Sequence, residues 1–174
     1  MIVSIASDHA GYDMRQLVIK HLEQKGFEVL DGGAVSATER FSYVEAGQKV
    51  AEDVQSGKAD RGIAICGTGI GISMVCNKFK GIRCGLCNNE YMARMCRQHN
   101  NANILSFGAR VVGPEIAFAM VDCFFDEEFA PPENVPEDVY GPPLPEEDDF
   151  SPAGEIAEPM YGPPAGLSDT EPDA

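Results

Sequence analysis

The sequence predicts an α/β domain built on a parallel five-stranded sheet with helices on both faces, followed by an acidic, proline-rich tail. Two observations predict the sheet. The runs IVSIAS (2–7), FEVLD (27–31), GIAIC (62–66), GIRCGLC (81–87) and NILSFG (103–108) are short, rich in β-formers and apolar almost throughout, the pattern of strands covered on both sides. They alternate with longer stretches of helical period, and repeated β-then-α units pack as helices over a parallel sheet. A third observation sets the boundary of the domain, because composition changes abruptly after residue 130.

The helices follow in order. The first places Met14, Leu17, Val18 and Leu22 on one face and stops at Gly26, a natural left-handed terminator. The second, over 44–56, turns Val44, Gly47, Val50, Ala51 and Val54 inward, with Gly57 behind it. The third runs from a glycine loop to Phe79, the fourth covers 89–99, and the fifth runs from Pro114 to Phe125. Proline suits a first helical turn, where its missing N–H is not needed. Met92, Met95 and Cys96 give the fourth helix an apolar face, and Phe118, Val121, Phe124 and Phe125 give the fifth a broad one. Core burial accounts for most of both, and surplus width suits a dimer interface.

Charge separates two regions. Of 28 acids, 13 Lys and Arg and 12 prolines in the chain, residues 131–174 hold 12 acids, no base and 11 prolines, so residues 1–130 carry 16 acids against 13 bases, a net charge of only −3. The acidity belongs to the tail and says little about the domain's ligand. Residues 131–174 show no helical or alternating period, and the composition cannot bury enough apolar area to offset chain entropy, so disorder is expected there. Within it VYGPP (139–143) returns as MYGPP (160–164), either a short docking motif or a coincidence of proline bias. The absence of a basic patch argues against a nucleic-acid partner. No apolar stretch reaches the roughly 18 residues that span a membrane. Six cysteines without a charged-then-apolar leader point to a reduced, cytoplasmic protein rather than a disulfide scaffold.

Ligands of parallel α/β sheets bind beyond the carboxyl ends of the strands, where the strand order reverses. That rule brings together SDH (7–9), CGTGIG (66–71), CNNE (87–90) and GAR (108–110). A glycine-rich turn from strand to helix directs backbone N–H groups outward at the positive end of the helix dipole and suits an anion or an oxyanion. Its spacing fits neither a Walker loop nor a dinucleotide fingerprint. Cys66 opens the turn and reads two ways: a small buried hydrophobe, or a thiol whose thiolate the helix terminus stabilises for work as a base or nucleophile. Asp8 and His9 lie on the same sheet edge, and His99 and Asn100, in RQHNNAN, are read as flanking the same region. His21 is read as structural or merely exposed. CGLC (84–87) lies along an apolar strand rather than at a helix N-terminus, so core packing explains it better than redox chemistry, and no second pair stands at zinc spacing. Cys76, Cys96 and Cys123 are read as core or half-buried helix positions.

Together SDHAGY, ICGTGIGISM, NKFKGIRCGLC and RQHNNANILSFGARVVG resemble the ribose-5-phosphate isomerase B family, which includes the galactose-6-phosphate isomerase subunits; the resemblance covers residues 1–129. It implies a three-layer, Rossmann-like (flavodoxin-like) fold, no metal or organic cofactor, and a homodimer with shared active sites, or a tetramer. It implies an aldose–ketose isomerase acting on a sugar phosphate through an enediolate, ribose 5-phosphate first and a hexose 6-phosphate as the alternative. Cys66 is then the base. Gly67, Thr68, Gly69, Ile70 and Gly71 surround the enediolate, and His99 is the ring-opening acid, assisted by Asp8 and Thr68. His9, Asn100, Arg110 and Tyr43 match substrate-binding positions. Two departures stand out. FSYVEAG (41–47) keeps only Tyr43 of the family's aromatic stretch, and where the family has an Arg-rich terminal helix this chain has EEFAPPENVPEDVYGPP, with no Lys or Arg after Arg110. Compensation by Arg15 or Arg40 beside Arg110, a less charged sugar, and a catalytically weak sugar-phosphate-binding or scaffold protein are the three readings that follow.

Overall fold

In the computed structural model, which describes residues 1–130, strands β1 (Ile2–Ser7), β2 (Glu28–Asp31), β3 (Arg61–Cys66), β4 (Cys84–Leu86) and β5 (Ile104–Gly108) form one parallel sheet in the order β2-β1-β3-β5-β4. The first three places match the flavodoxin-type order, and the last two are exchanged. The chain leaves β1 toward one edge, then crosses back to β3 on the other side, so the reversal that makes a ligand crevice falls between β1 and β3. Their register runs from Val3 opposite Arg61 to Ser7 opposite Ile65, and β3 meets β5 with Cys66 opposite Gly108.

Helices α1 (Tyr12–Gln24), α2 (Tyr43–Gln55), α3 (Ile70–Cys76), α4 (Glu90–Gln98) and α5 (Pro114–Asp126) cover the sheet. Alternation along the strands sorts the core into two layers. Val3, Ile5, Ile63, Ile65, Leu105 and Phe107 pack with Met14, Val18 and Leu22 of α1 and with Met120, Val121 and Phe124 of α5. Ala6, Ala64, Cys66 and Ile104 pack with Val50, Ala51 and Val54 of α2 and with Ile72 and Cys76 of α3. Each large side chain buried in this way stabilises the fold by roughly 1.5–3 kcal/mol.

Two elements are shorter than the sequence pattern suggests. β4 pairs only over Cys84–Leu86, because Gly81 turns the chain at φ +80° and the Asn103 side chain takes the Arg83 N–H at 2.8 Å before the ladder begins. α3 ends at Cys76, and the N–H groups of Lys78 and Phe79 bond three residues back, to Val75 and Cys76, a tightened last turn. The expectations for residues 131–174, including the repeated YGPP, lie outside the described residues. Among the described residues no helix is long and apolar enough to cross a membrane.

Buried charges tie the layers together. Arg15, only 2% exposed, donates to the carbonyls of Ser7 and Ala34 and to Ser7 Oγ, and lies 3.1 Å from Asp31. It fastens the end of β1 to the loop after β2, which leaves it no part in gripping a phosphate and removes one of the expected compensating residues. His21 has the structural role expected, on Asp122 at 2.6 Å and stacked on Phe118. Asp53 is on the buried face of α2, where Ser4 Oγ donates to it at 2.8 Å and Lys49 Nζ at 2.6 Å, with Lys58 Nζ 3.4 Å away. Burial pushes its carboxyl up, but the hydrogen bonds from Lys49 and Ser4 and the two ammonium charges outweigh it and hold it below the usual carboxylate range.

A carboxyl lowered by folding stabilises the native state above the ordinary carboxylate range and loses that contribution as pH falls through its folded value. Asp53→Asn is therefore expected to cost about 1.5–3 kcal/mol at neutral pH. The difference from wild type should shrink on acidification, as read by urea denaturation at a series of pH values.

Candidate functional site

The carboxyl edge of the sheet gathers loops from β1, β3 and β5. Cys66 ends β3 and is 5% exposed, and its Sγ accepts the N–H of Gly69 at 3.1 Å. The loop closes around the sulfur because Gly69 adopts φ +79°, a left-handed conformation that costs glycine nothing. A side chain there has no room, since a Cβ would stand 2.6 Å from Leu86 Cδ1 and 2.7 Å from the Phe107 carbonyl carbon. Ser106 Oγ holds the Gly69 carbonyl at 2.9 Å from below. Thr68, exposed at the rim, accepts the Ile70 N–H on Oγ1 at 3.3 Å. The Gly69 and Ile70 N–H groups thus serve the loop's own sulfur and hydroxyl.

Neighbouring loops complete the ring. The N–H groups of Ala109 and Arg110 donate to the carbonyls of Cys66 and Gly67 at 2.9 and 3.0 Å, which seats the loop after β5 on the loop after β3. Over Gly67 lie Arg110 and Ala10, their side-chain carbons 3.7 and 3.8 Å from where a Cβ would stand. The Tyr43 ring, at the start of α2, closes on Gly71, 2.8 Å from the equivalent position there. His9 Nδ1 lies 3.3 Å from the Phe41 carbonyl, which ties the loop after β1 to that before α2. Asp8 is buried and caps the turn His9–Gly11 by accepting the Gly11 N–H at 3.0 Å. Burial pushes its carboxyl above the usual range, against the lowering pull of the Gly11 N–H, His9, the Ala10 N–H and Arg110. Asp8, His9, Tyr43, Cys66, Gly67, Thr68, Gly69, Ile70, Gly71 and Arg110 therefore meet along one edge.

His99 and Asn100 do not join them. α4 leaves the carboxyl edge and runs back across the sheet, so His99, which caps its far end, stands where β5 is about to begin. The carbonyl of Asn103, a few residues on, accepts the N–H of Gly62 at the start of β3. Six strand residues at about 3.3 Å each, roughly 20 Å, separate this amino edge from Cys66. The expectation that His99 flanks the same crevice is corrected for a single chain: a residue preceding a strand lies at the opposite edge from one following it. The turn is nonetheless firmly built. Asn101 adopts φ +49°, buried Arg97 donates to Asn101 Oδ1 at 2.7 Å and to the Ala102 carbonyl at 2.9 Å, and Arg83 Nε donates to the Asn100 carbonyl at 2.6 Å. Sequence reasoning missed both arginines. The four-residue spacing of Arg97 and Asn101 across a helix end was the available signal. No group of three or more His, Cys, Asp or Glu among the described residues could hold a metal ion.

A family model described as Ribose/Galactose Isomerase matches residues 3–137. The chain belongs to that family. It is a sugar-phosphate isomerase, of the aldose–ketose type. It is 42% identical over 127 residues to the ribose-5-phosphate isomerase B of Escherichia coli strain K12, covering 73% of this chain and 85% of the relative. It is 36% identical over 141 residues to the galactose-6-phosphate isomerase subunit LacB of Clostridium acetobutylicum, covering 81% of each. Among solved structures, the ribose-5-phosphate isomerase B of Clostridium thermocellum superimposes with a TM-score of 0.73 at 50% identity, covering 74% of this chain and 86% of that one.

Gly69→Ala should destabilise this isomerase by roughly 1–3 kcal/mol in urea denaturation, through a strained backbone with immovable neighbours. Gly67→Ala, with its nearest neighbours at 3.7 Å, should leave stability close to wild type.

Proposed function

We propose that the protein interconverts ribose 5-phosphate and ribulose 5-phosphate through an enediolate, with Cys66 as the base. The observation that carries this reading is the Cys66 sulfur at a strand end, 3.1 Å from the Gly69 nitrogen and enclosed by the loops of Asp8, Thr68 and Arg110. The Gly69 N–H is directed at that sulfur, and a thiolate is the form able to take a proton. The thiolate removes the C2 proton of the open-chain aldose, the C2 electrons form the C1–C2 double bond, and the C1 oxygen takes the negative charge. The proton returns to C1 as the double bond shifts to C2 and its oxygen, and the C2 hydroxyl proton passes to the C1 oxygen. Thr68 suits that relay, because its oxygen already accepts the Ile70 N–H and its own hydrogen is left to donate.

Opening the furanose needs an acceptor for the anomeric hydroxyl proton and a donor to the ring oxygen. Asp8, kept above the usual carboxylate range by burial, supports the first role. His99 takes the second in the site of a second copy, with Asn100 beside it binding the sugar. Their place at the amino edge supports a two-fold dimer in which each chain's Cys66 works with the other's His99. Ile70 and Met74 on α3 and Tyr91 and Met92 on α4, all exposed in one chain, supply apolar surface for such contact. Arg110 and His9 hold the phosphate in place of the family's terminal arginines.

Assay of ribose 5-phosphate, galactose 6-phosphate and free ribose tests the substrate. Preference for the hexose phosphate replaces the pentose assignment, and binding without turnover replaces the enzymatic one. Cys66→Ala is expected to lower kcat by on the order of 10²–10⁴-fold. Mixing unfolded Cys66→Ala and His99→Ala chains in equal amounts and refolding them should recover about a quarter of wild-type activity, because half of random two-fold dimers then carry one intact site. Failure of the mixture to recover activity sinks the shared site.

A further inference from the structure

Cys66 is the one thiol used above, and the other five, like it, are free. Four of them crowd one corner of the sheet as two contacting pairs, Cys76 with Cys84 and Cys87 with Cys96. The sequence spacing of Cys84 and Cys87 is misleading, since each has its partner on a neighbouring helix instead. Cys87, just past β4, donates its S–H to Cys96 Sγ on α4 across 3.7 Å. Gly85 makes the room, because a Cβ there would stand 2.9 Å from Cys96 Sγ. A cavity of about 310 Å³ is bounded here by Arg83, Cys84, Gly85, Cys96 and Asn100. It opens onto half-buried Cys96, whereas Cys87 behind it is 1% exposed.

We propose that Cys87 and Cys96 are a modification site: a dithiol that hydrogen peroxide or a small organic hydroperoxide converts to a reversible disulfide, Cys96 attacking the peroxide and Cys87 resolving. The Cys96 thiolate attacks one peroxide oxygen, the O–O bond breaks, and the departing oxygen leaves as hydroxide, or as alkoxide from an organic hydroperoxide. Cys96 is now a sulfenic acid. The Cys87 sulfur then attacks the Cys96 sulfur, forming the S–S bond as the S–O bond breaks, and the hydroxyl leaves with the Cys87 proton as water. In sum two thiols are oxidised by two electrons and one peroxide is reduced. Sulfur–sulfur separation has to fall from 3.7 Å to about 2.05 Å, a small shift for a helix side chain packed on a glycine. The electrostatics agree: the hydrogen bond from Cys87 and the nearby Arg97 charge hold the Cys96 thiol down against its burial, and the same hydrogen bond, with burial, pushes Cys87 up. A thiolate beside a protonated thiol is the arrangement peroxide chemistry requires.

The test reads bonds rather than isomerisation, so it is independent of the activity proposed above. The full chain is treated with hydrogen peroxide, its remaining thiols are blocked, and tryptic peptides are weighed. The expected result is a cross-link between peptide 84–94 and peptide 95–97, two hydrogens lighter than their sum, lost on dithiothreitol treatment. The cross-link should survive in Cys84→Ser and vanish in Cys87→Ser and in Cys96→Ser, with circular dichroism confirming that each variant folds. Should Cys87→Ser fail to fold, the Cys84→Ser and Cys96→Ser variants still assign the pair. A cross-link that disappears in Cys84→Ser overturns the assignment. So does oxidation of Cys96 to sulfinic acid without a cross-link, or a Cys96 that stays reduced while Cys123 is oxidised.

Discussion

Strand direction is the constraint on which the rest of this structure depends. In a wholly parallel sheet every strand ends on the same edge, so Ser7, Cys66 and Gly108 are brought level by pairing alone, and their following residues share one crevice. The same rule sends every residue that precedes a strand to the other edge. Asp8, Thr68 and Arg110 are local to Cys66, whereas His99 is as remote as the sheet permits. A chemistry that needs both groups cannot be completed by one copy of this fold. In that sense the proposed dimer would be a consequence of chain direction before it is a matter of surface complementarity.

Within the crevice, rigidity comes from contacts that use backbone more than side chain. The Cys66 sulfur, the Thr68 hydroxyl and Ser106 each engage a backbone group of the same short loop. The loop after β5 lies on it so closely that a Cβ at Gly108 would come 2.6 Å from the Thr68 carbonyl carbon. Such a loop has little freedom to rearrange. The arginines are placed differently. Arg15, which sequence alone made a candidate, is spent under the end of β1, while Arg110 remains at the surface over Gly67.

The fold was legible because its signals are local and repeated: apolar runs, helical period, Gly26 and Gly57 as terminators, Pro114 as an initiator. The crevice was legible because CGTGIG follows a strand. The place of His99 is not legible locally, because its distance from Cys66 depends on which end of β5 it adjoins, a topological fact that RQHNNAN does not carry. β4 is shorter than its pattern because, although GIRCGLC is apolar apart from Arg83, nothing in the run reveals that the Asn103 side chain occupies the Arg83 N–H. CGLC illustrates the same limit. Spacing shows that two thiols are neighbours in sequence, but the contact of Cys87 with Cys96 forms only when α4 folds back over Gly85.

The lengths of the strands have a consequence of another kind. β2 and β4, with four and three residues, are the outermost strands, whereas β1, β3 and β5, with six, six and five, are flanked on both sides. An outer strand exposes unpaired amides to any chain that can lie alongside it, and the danger grows with its length and flatness. Here the long, sticky strands are never outermost, and the two that are offer too short a ladder to template an intruder. Copies of this protein can therefore meet through helices and loops, where a closed pair is possible, rather than by extending one another's sheet without end.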